Sequence, residues 1–282
     1  MNLLNAPRTA FVLGGGGKWG AVEVGMLAAL TDAGIEPDLI VGTSIGAING
    51  AVYATDPSPI AIERLESLWK SPATREALSG SMLTRLKNVG QLRPALNDHT
   101  AIRELLRTTV YVRHFDELAV SFQCVAASIE RAAERWFSDG DLVEALLASA
   151  SVPGLFPPVE IDGEHYYDGG LVNSVPVDRA IRLGATELYV LQVGRIEKPL
   201  RPPSRIHEPA LVAFEIARRH RFGTLMDDPP CGITLHVLPT GKPVDYTDTR
   251  QLRWSDLGDT PTMIETARAA TAAYLAEAGE QR

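Results

Sequence analysis

Asp38-Leu39-Ile40-Val41-Gly42-Thr43-Ser44-Ile45-Gly46-Ala47-Ile48-Asn49-Gly50-Ala51-Val52-Tyr53 is the stretch on which the fold turns. An apolar run enters Gly42, a G-x-S-x-G turn carries Ser44, and a segment of small residues leaves it in helical style. Strand, sharp turn and helix together form the setting that holds a serine hydroxyl clear of the chain as a nucleophile. Gly42 and Gly46 let the backbone turn tightly and let the helix approach the strand. The hydroxyl then lies at the positive end of a helix dipole.

A second glycine cluster precedes this turn. Thr9-Ala10-Phe11-Val12-Leu13 reads as a strand, broken by Gly14-Gly15-Gly16-Gly17-Lys18-Trp19-Gly20. From Ala21 onward, Val24, Leu27, Ala28 and Leu30 fall at helical spacing. A glycine loop between strand and helix points N–H groups at negative charge. In acyl transfer that charge is the oxyanion of a tetrahedral intermediate, which makes Gly15, Gly16 and Gly17 candidate donors. Two nucleotide readings fit less well. Gly15-x-Gly17-x-x-Gly20 matches the dinucleotide fingerprint, but the next strand ends in Gly42-Thr43-Ser44 and lacks the acidic residue that holds a ribose. Gly17-Lys18 is followed by Trp19 where a phosphate-binding P-loop needs Ser or Thr, and Val12 stands where its first glycine belongs.

A serine nucleophile needs a base. Of the histidines, His99, His114 and His165 come too early for the order Ser, acid, His. His207 and His220 lie in a polar, Arg-rich stretch and His236 within a strand-like run, so all three are expected at the surface. Asp168 is the better candidate. Asp162-Gly163 is a two-residue hairpin signal between Pro158–Ile161 and Glu164–Tyr167, which places Asp168 at a strand end before Gly169-Gly170. From position alone it reads more readily as a turn aspartate.

Taken together, these blocks resemble the patatin-like phospholipases, lipid acyl hydrolases that use a Ser–Asp dyad without histidine. The resemblance rests on Gly15 to Gly20, Gly42 to Gly46 and Asp168-Gly169-Gly170 in that order, with Ala148–Val159 before the aspartate and Gly170–Val177 after it. It spans about residues 9 to 195. It implies a patatin-like α/β fold, with a mostly parallel central sheet flanked by helices. It further implies Ser44 as nucleophile, Asp168 as proton acceptor and a Gly15–Gly17 oxyanion hole, supported by Gly20, Gly42, Gly46, Gly169 and Gly170. No metal or organic cofactor is implied. Family members commonly carry Arg where this chain has Trp19, which weakens the case for a phospholipid substrate; Lys18 and Trp19 are candidate substrate contacts, with Trp19 equally readable as a core residue. A carboxylate base is expected to stay ionised well below about pH 6.5 unless burial raises its pKa, and no single histidine is expected to be essential. A non-catalytic lipid- or acyl-binding protein is the reading from another class.

Bulk properties narrow the partners. A net charge of −8 and a pI near 5.3 argue against nucleic acid and against simple adsorption to anionic membranes. The start of the chain lacks a secretory pattern, and no apolar run approaches the roughly 18 residues of a membrane span. The expectation is a cytoplasmic protein acting on a lipid or other acyl ester, touching the inner membrane surface at most peripherally. Cys124 and Cys231 lie in or beside apolar runs and are expected to be buried thiols.

Residues 56 to 112 read as mostly helical and as a candidate cap, with Ile60, Ile62, Leu65, Leu68 and Trp69 on one stripe. Residues 195 to 221 hold seven Arg or Lys against three Glu and read as a solvated loop and helix, or as a surface facing anionic headgroups. Tyr246-Thr247-Asp248 is a polar connection to a last helix, whose Ile264, Ala267, Thr271, Tyr274, Leu275 and Ala278 form a stripe. Residues 196–282 are therefore expected to pack on the 9–195 core within one domain.

Overall fold

Thr9–Leu13 (β1) is buried at every position after its first, as a central strand covered by helices on both faces must be. The computed structural model describes residues 8–72, 74, 95, 97–193, 196, 199–203, 208–242 and 259–280. After β1 come α1 (Ala21–Asp32), β2 (Leu39–Thr43), α2 (Ile45–Thr55), α3 (Pro59–Lys70) and α4 (Thr100–Val110). Next are β3 (Ser121–Ser128), β4 (Ala133–Phe137), α5 (Leu142–Ala150), β5 (Val159–Ile161) and β6 (Glu164–Asp168). The chain continues through α6 (Val177–Arg182), β7 (Glu187–Leu191), α7 (Glu208–Asp227), β8 (Thr234–Val237) and α8 (Thr260–Glu280).

These strands form one sheet in the order β5-β6-β3-β2-β1-β7-β8, with β4 also on β3. The run β3-β2-β1-β7-β8 is parallel, while β4, β5 and β6 join antiparallel. The fold is thus α/β, with a mostly parallel sheet. Alternation along β1 and β2 assigns the two faces. Phe11, Leu13 and Ile40 pack with α1, α2, α3, α5 and α8, whereas Ala10, Val12, Leu39 and Val41 pack with α6 and Phe222 of α7.

The pairings of β3 place the site. Val125 pairs with Thr43 at the end of β2, and the next residue, Ala126, pairs with Asp168 at the end of β6. Because β4 pairs with β3 over Cys124–Ser128 and each strand edge takes one neighbour at a time, β2 and β6 must share the other edge end to end. Ser44 and Asp168, far apart in the chain, thereby meet above the carboxyl ends of the central strands, where open α/β sheets bind their ligands.

Helix α1 is buried nearly all round because α8 covers the side turned from the sheet. A Cβ on Gly25 would stand 2.1 Å from the Ile264 carbonyl oxygen and 2.8 Å from the Arg268 amide. Backbone cannot step aside as a side chain can. Gly25→Ala is expected to cost about 1–3 kcal/mol through overpacking, whereas Gly279→Ala, one residue from the end of α8 and with nothing within 4 Å, should leave stability nearly unchanged. Urea unfolding of the two variants checks the pair, and equal midpoints would remove the close contact.

Three expectations change. Ile60 is 53% exposed, because Pro59 and the Ser58 cap on the Ile60 amide start α3 there and put it about 200° round the helix from Ile62. The stripe consists of Ala61, Ile62, Leu65, Leu68 and Trp69. Cys124 is buried as expected, but Cys231 is exposed, since it sits in the turn before Gly232, whose φ is +80°. His236 is a core histidine, bonded to the Tyr274 hydroxyl at 3.1 Å and stacked on Tyr189. Residues 73, 75–94 and 96 of the candidate cap, together with His207 and Tyr246-Thr247-Asp248, lie outside the described residues, while α3 and α4 bear out its helical character on either side. Among the described residues no helix is long and apolar enough to cross a membrane.

Candidate active site

Ser44 adopts φ 56° and ψ −124°, a conformation that costs a non-glycine residue about 1–3 kcal/mol and persists only where its surroundings enforce it. Its neighbours do so. A Cβ on Gly42 would meet the Ala47 Cα at 2.6 Å, and one on Gly46 would meet the Leu13 carbonyl at 2.6 Å. Strand, helix and glycine loop therefore converge on the turn only with glycine at both positions. The Ser149 hydroxyl accepts the Ser44 amide at 2.9 Å, and the Thr43 hydroxyl donates to the Asn173 carbonyl at 2.8 Å.

The Ser44 hydroxyl donates to Asp168 Oδ2 at 2.5 Å. The other carboxylate oxygen, Oδ1, accepts the Gly170 amide at 2.7 Å, and the Asp168 amide donates to the Ser151 carbonyl at 2.9 Å. Both side chains are buried, Ser44 at 7% and Asp168 at 6% exposure. Burial pushes the Asp168 carboxyl up to about 6, against the opposing pull of the Ser44 hydroxyl, the Gly170 amide and the Arg218 charge. A carboxylate so placed is a stronger base than one in water and is poised near neutral pH. The acid limb expected of it therefore moves up into the histidine range. Among the described residues no histidine hydrogen-bonds either member of this pair. His99 comes nearest along the bonds, meeting at 2.8 Å the Ser151 hydroxyl.

The glycine loop lies against the turn, because a Cβ on Gly15 would stand 3.3 Å from the Ser44 Cβ. The three candidate donors are not equivalent. The Gly15 amide donates to the Ser174 carbonyl at 2.9 Å and is therefore already engaged within the protein. Gly16 and Gly17, where the backbone leaves β1 for a 3-10 turn over Gly17–Gly20, remain candidate donors. Gly20 is fixed by packing, as its Cβ would meet Ile45 at 2.6 Å. Its carbonyl accepts from Asn49, which also donates to Glu23 at 2.8 Å and accepts the Trp69 indole at 3.1 Å. Burial raises the Glu23 pKa, countered by Asn49 and the Gly14 amide. Lys18 is buried, with its ammonium 5.1 Å from the ring centroid of Trp19.

Two contributors went unread in the sequence. Ser149 was visible only as part of a small-residue run. Arg218 was counted in a solvated basic stretch, yet its guanidinium turns inward, donating to the Ser174 hydroxyl at 2.7 Å and to the Gly15 carbonyl. Arg221 pairs with Glu134 and with Asp178, so α7 is pinned to the sheet rather than solvated on these sides. The charge excess was legible, but its direction was not.

The model of the patatin-like phospholipase family matches residues 11–181, more than half of the chain. Patatin-like phospholipase domain-containing protein ZK370.4 of Caenorhabditis elegans is 31% identical over 198 residues, covering 70% of this chain and 14% of its own length. Lysophospholipase nte1 of Aspergillus terreus is 31% identical over 194 residues, covering 66% of this chain and 12% of that protein. The chain thus spans a small part of these relatives. Among solved structures, VipD of Legionella pneumophila aligns at a TM-score of 0.46 and 13% identity, over 96% of this chain and 67% of that one. With its glycine loop, serine turn and Asp-Gly-Gly segment all inside the matched span, the chain belongs to the patatin-like phospholipase family.

Proposed function

We propose that this chain hydrolyses carboxylic esters of lipids, with Ser44 as nucleophile and Asp168 as its base. The observation that carries the reading is the 2.5 Å bond from the Ser44 hydroxyl to a buried carboxylate in a strained turn. As the Ser44 oxygen attacks the ester carbonyl, its proton passes to Asp168 Oδ2. The Gly16 and Gly17 amides stabilise the oxyanion, and Gly15 contributes its shape rather than its N–H. Collapse of the intermediate breaks the ester bond, and the leaving alkoxide takes the proton from Asp168. Water, deprotonated by the same carboxylate, then attacks the acyl-enzyme; as the acyl–oxygen bond breaks, Asp168 returns the proton to the Ser44 oxygen and the fatty acid leaves. No step calls on a metal or an organic cofactor.

Membership of the phospholipase family and relatives named lysophospholipase support an acyl lipid as substrate, reached by peripheral contact with a membrane. Trp19 is the proposed substrate contact of the loop, through its ring rather than through the buried Lys18 ammonium. Residues 196–282 are proposed to belong to the same domain as 9–195, because α8 packs on α1 and α7 reaches the glycine loop. The test is hydrolysis of para-nitrophenyl esters from acetate to palmitate, beside fluorophosphonate labelling. Wild type is expected to turn over and to be labelled. Ser44→Ala should lose labelling and at least about 10³-fold in kcat. Labelling that persists in Ser44→Ala would sink the assignment.

A further inference from the structure

We infer that Arg218, on a helix beyond the family-matched residues, is a positioning residue for the oxyanion site, acting by orienting the Gly16 N–H through the peptide bond it shares with Gly15. This rests on the proposed esterase reading and deepens it.

The Gly15 carbonyl and the Gly16 N–H belong to one peptide unit. A trans peptide is planar, so these two groups point in opposite directions. Whatever holds the carbonyl therefore aims the N–H. Arg218 holds it with Nη2, while its Nε donates to the Ser174 hydroxyl at 2.7 Å and its Nη1 to Glu215 at 3.1 Å. Ser174 in turn accepts the Gly15 amide through its carbonyl. Gly15 is thus clamped at both ends, by Ser174 at its N–H and by Arg218 at its carbonyl.

Glycine makes such a clamp necessary. A loop of four glycines has more backbone freedom than any other sequence, and an oxyanion donor is effective only when aimed in advance at where the charge develops. The planar fork of a guanidinium can hold the carbonyl and the hydroxyl together, which a lysine ammonium cannot do with the same rigidity. A charged donor on the carbonyl also polarises the peptide and strengthens its N–H. The Arg218 side chain is only 9% exposed and Glu215 only 2%, so the clamp works in a poorly screened setting. Arg221, on the same helix, contacts Glu134, Asp178 and the Val172 carbonyl instead. It anchors α7 without touching the glycine loop, and so provides the control.

The experiment measures kcat and KM for para-nitrophenyl butyrate with the full chain carrying Arg218→Met, Arg218→Lys or Arg221→Met, beside wild type and Ser44→Ala. Arg218→Met and Arg218→Lys are expected to lose between about tenfold and a hundredfold in kcat with KM little changed. Millimolar guanidinium should restore part of the loss in Arg218→Met. Arg221→Met is expected to lower the melting temperature while keeping kcat. If Arg218→Met does not fold, Arg218→Lys carries the same comparison. An unchanged kcat in the Arg218 variants, or an equal fall in Arg221→Met, would overturn the role of Arg218 while leaving the dyad intact. An active Ser44→Ala or an inactive wild type would instead strike the esterase reading itself.

Discussion

Asp168→Asn is expected to abolish turnover and, in the same variant, to make the fold more stable. The amide can still accept the Gly170 N–H and meet the Ser44 hydroxyl, so the geometry survives. It cannot take a proton at neutral pH, and loss of a general base costs about 10²–10⁴ in kcat. The stability gain follows from the buried charge. In the fold the carboxyl titrates at about 6, against an ordinary value of 3.8, with burial the main cause. Above pH 6 both folded and unfolded chains carry the carboxylate, and the folded one bears a penalty of about 3 kcal/mol. Below 3.8 both are neutral and the penalty is gone. Stability from this position therefore rises as pH falls from 6 towards 4, opposite to a salt-bridged aspartate. Thermal unfolding should place Asp168→Asn above wild type by up to about 3 kcal/mol near pH 8, with the two curves converging near pH 4. The kcat/KM profile of wild type should fall on the acid side with a midpoint near 6. A variant less stable than wild type at both pH values would contradict a carboxylate destabilised by burial. Because this limb overlaps the histidine range, His99→Ala, His220→Ala and His236→Ala are needed beside it, and each should retain turnover if it folds.

Gly169→Ala is expected to have the second large effect, and to lose both stability and activity. Its Cβ would stand 2.2 Å from the Val125 carbonyl oxygen and 2.8 Å from the Val125 carbonyl carbon. Val125 is the residue of β3 paired with Thr43, next to the one paired with Asp168. Relief of the clash must push the Asp168 segment off β3, away from Ser44. Overpacking of this kind costs about 3 kcal/mol when the obstacle is backbone, and a shift of about 1 Å in a base costs on the order of a hundredfold in rate. Gly223→Ala, on α7 with nothing within 4 Å, should lose neither. Measured kcat and urea midpoints for the two variants decide it. A Gly169→Ala with wild-type values would mean that the chain does not pass so close to β3.

The sequence by itself determined the local pieces. β1, the serine turn with its flanking strand and helix, the Asp162-Gly163 hairpin and the stripe of α8 were all legible. Each depends on dihedral preference and side-chain periodicity over a few residues, which neighbours in the chain encode. Asp168 was legible as a strand-end aspartate, and its pairing with Ser44 only through resemblance. Tertiary structure alone decided the rest. It set Asp168 beside Ser44 because β2 and β6 share one edge of β3, a matter of register between distant strands. It raised the Asp168 pKa because burial is a property of the assembled core. It spent the Gly15 amide on Ser174 and turned Arg218 inward to the glycine loop, where composition had suggested a solvated basic stretch. The direction of a side chain and the partner of a backbone amide depend on what packs opposite, and local sequence does not record that.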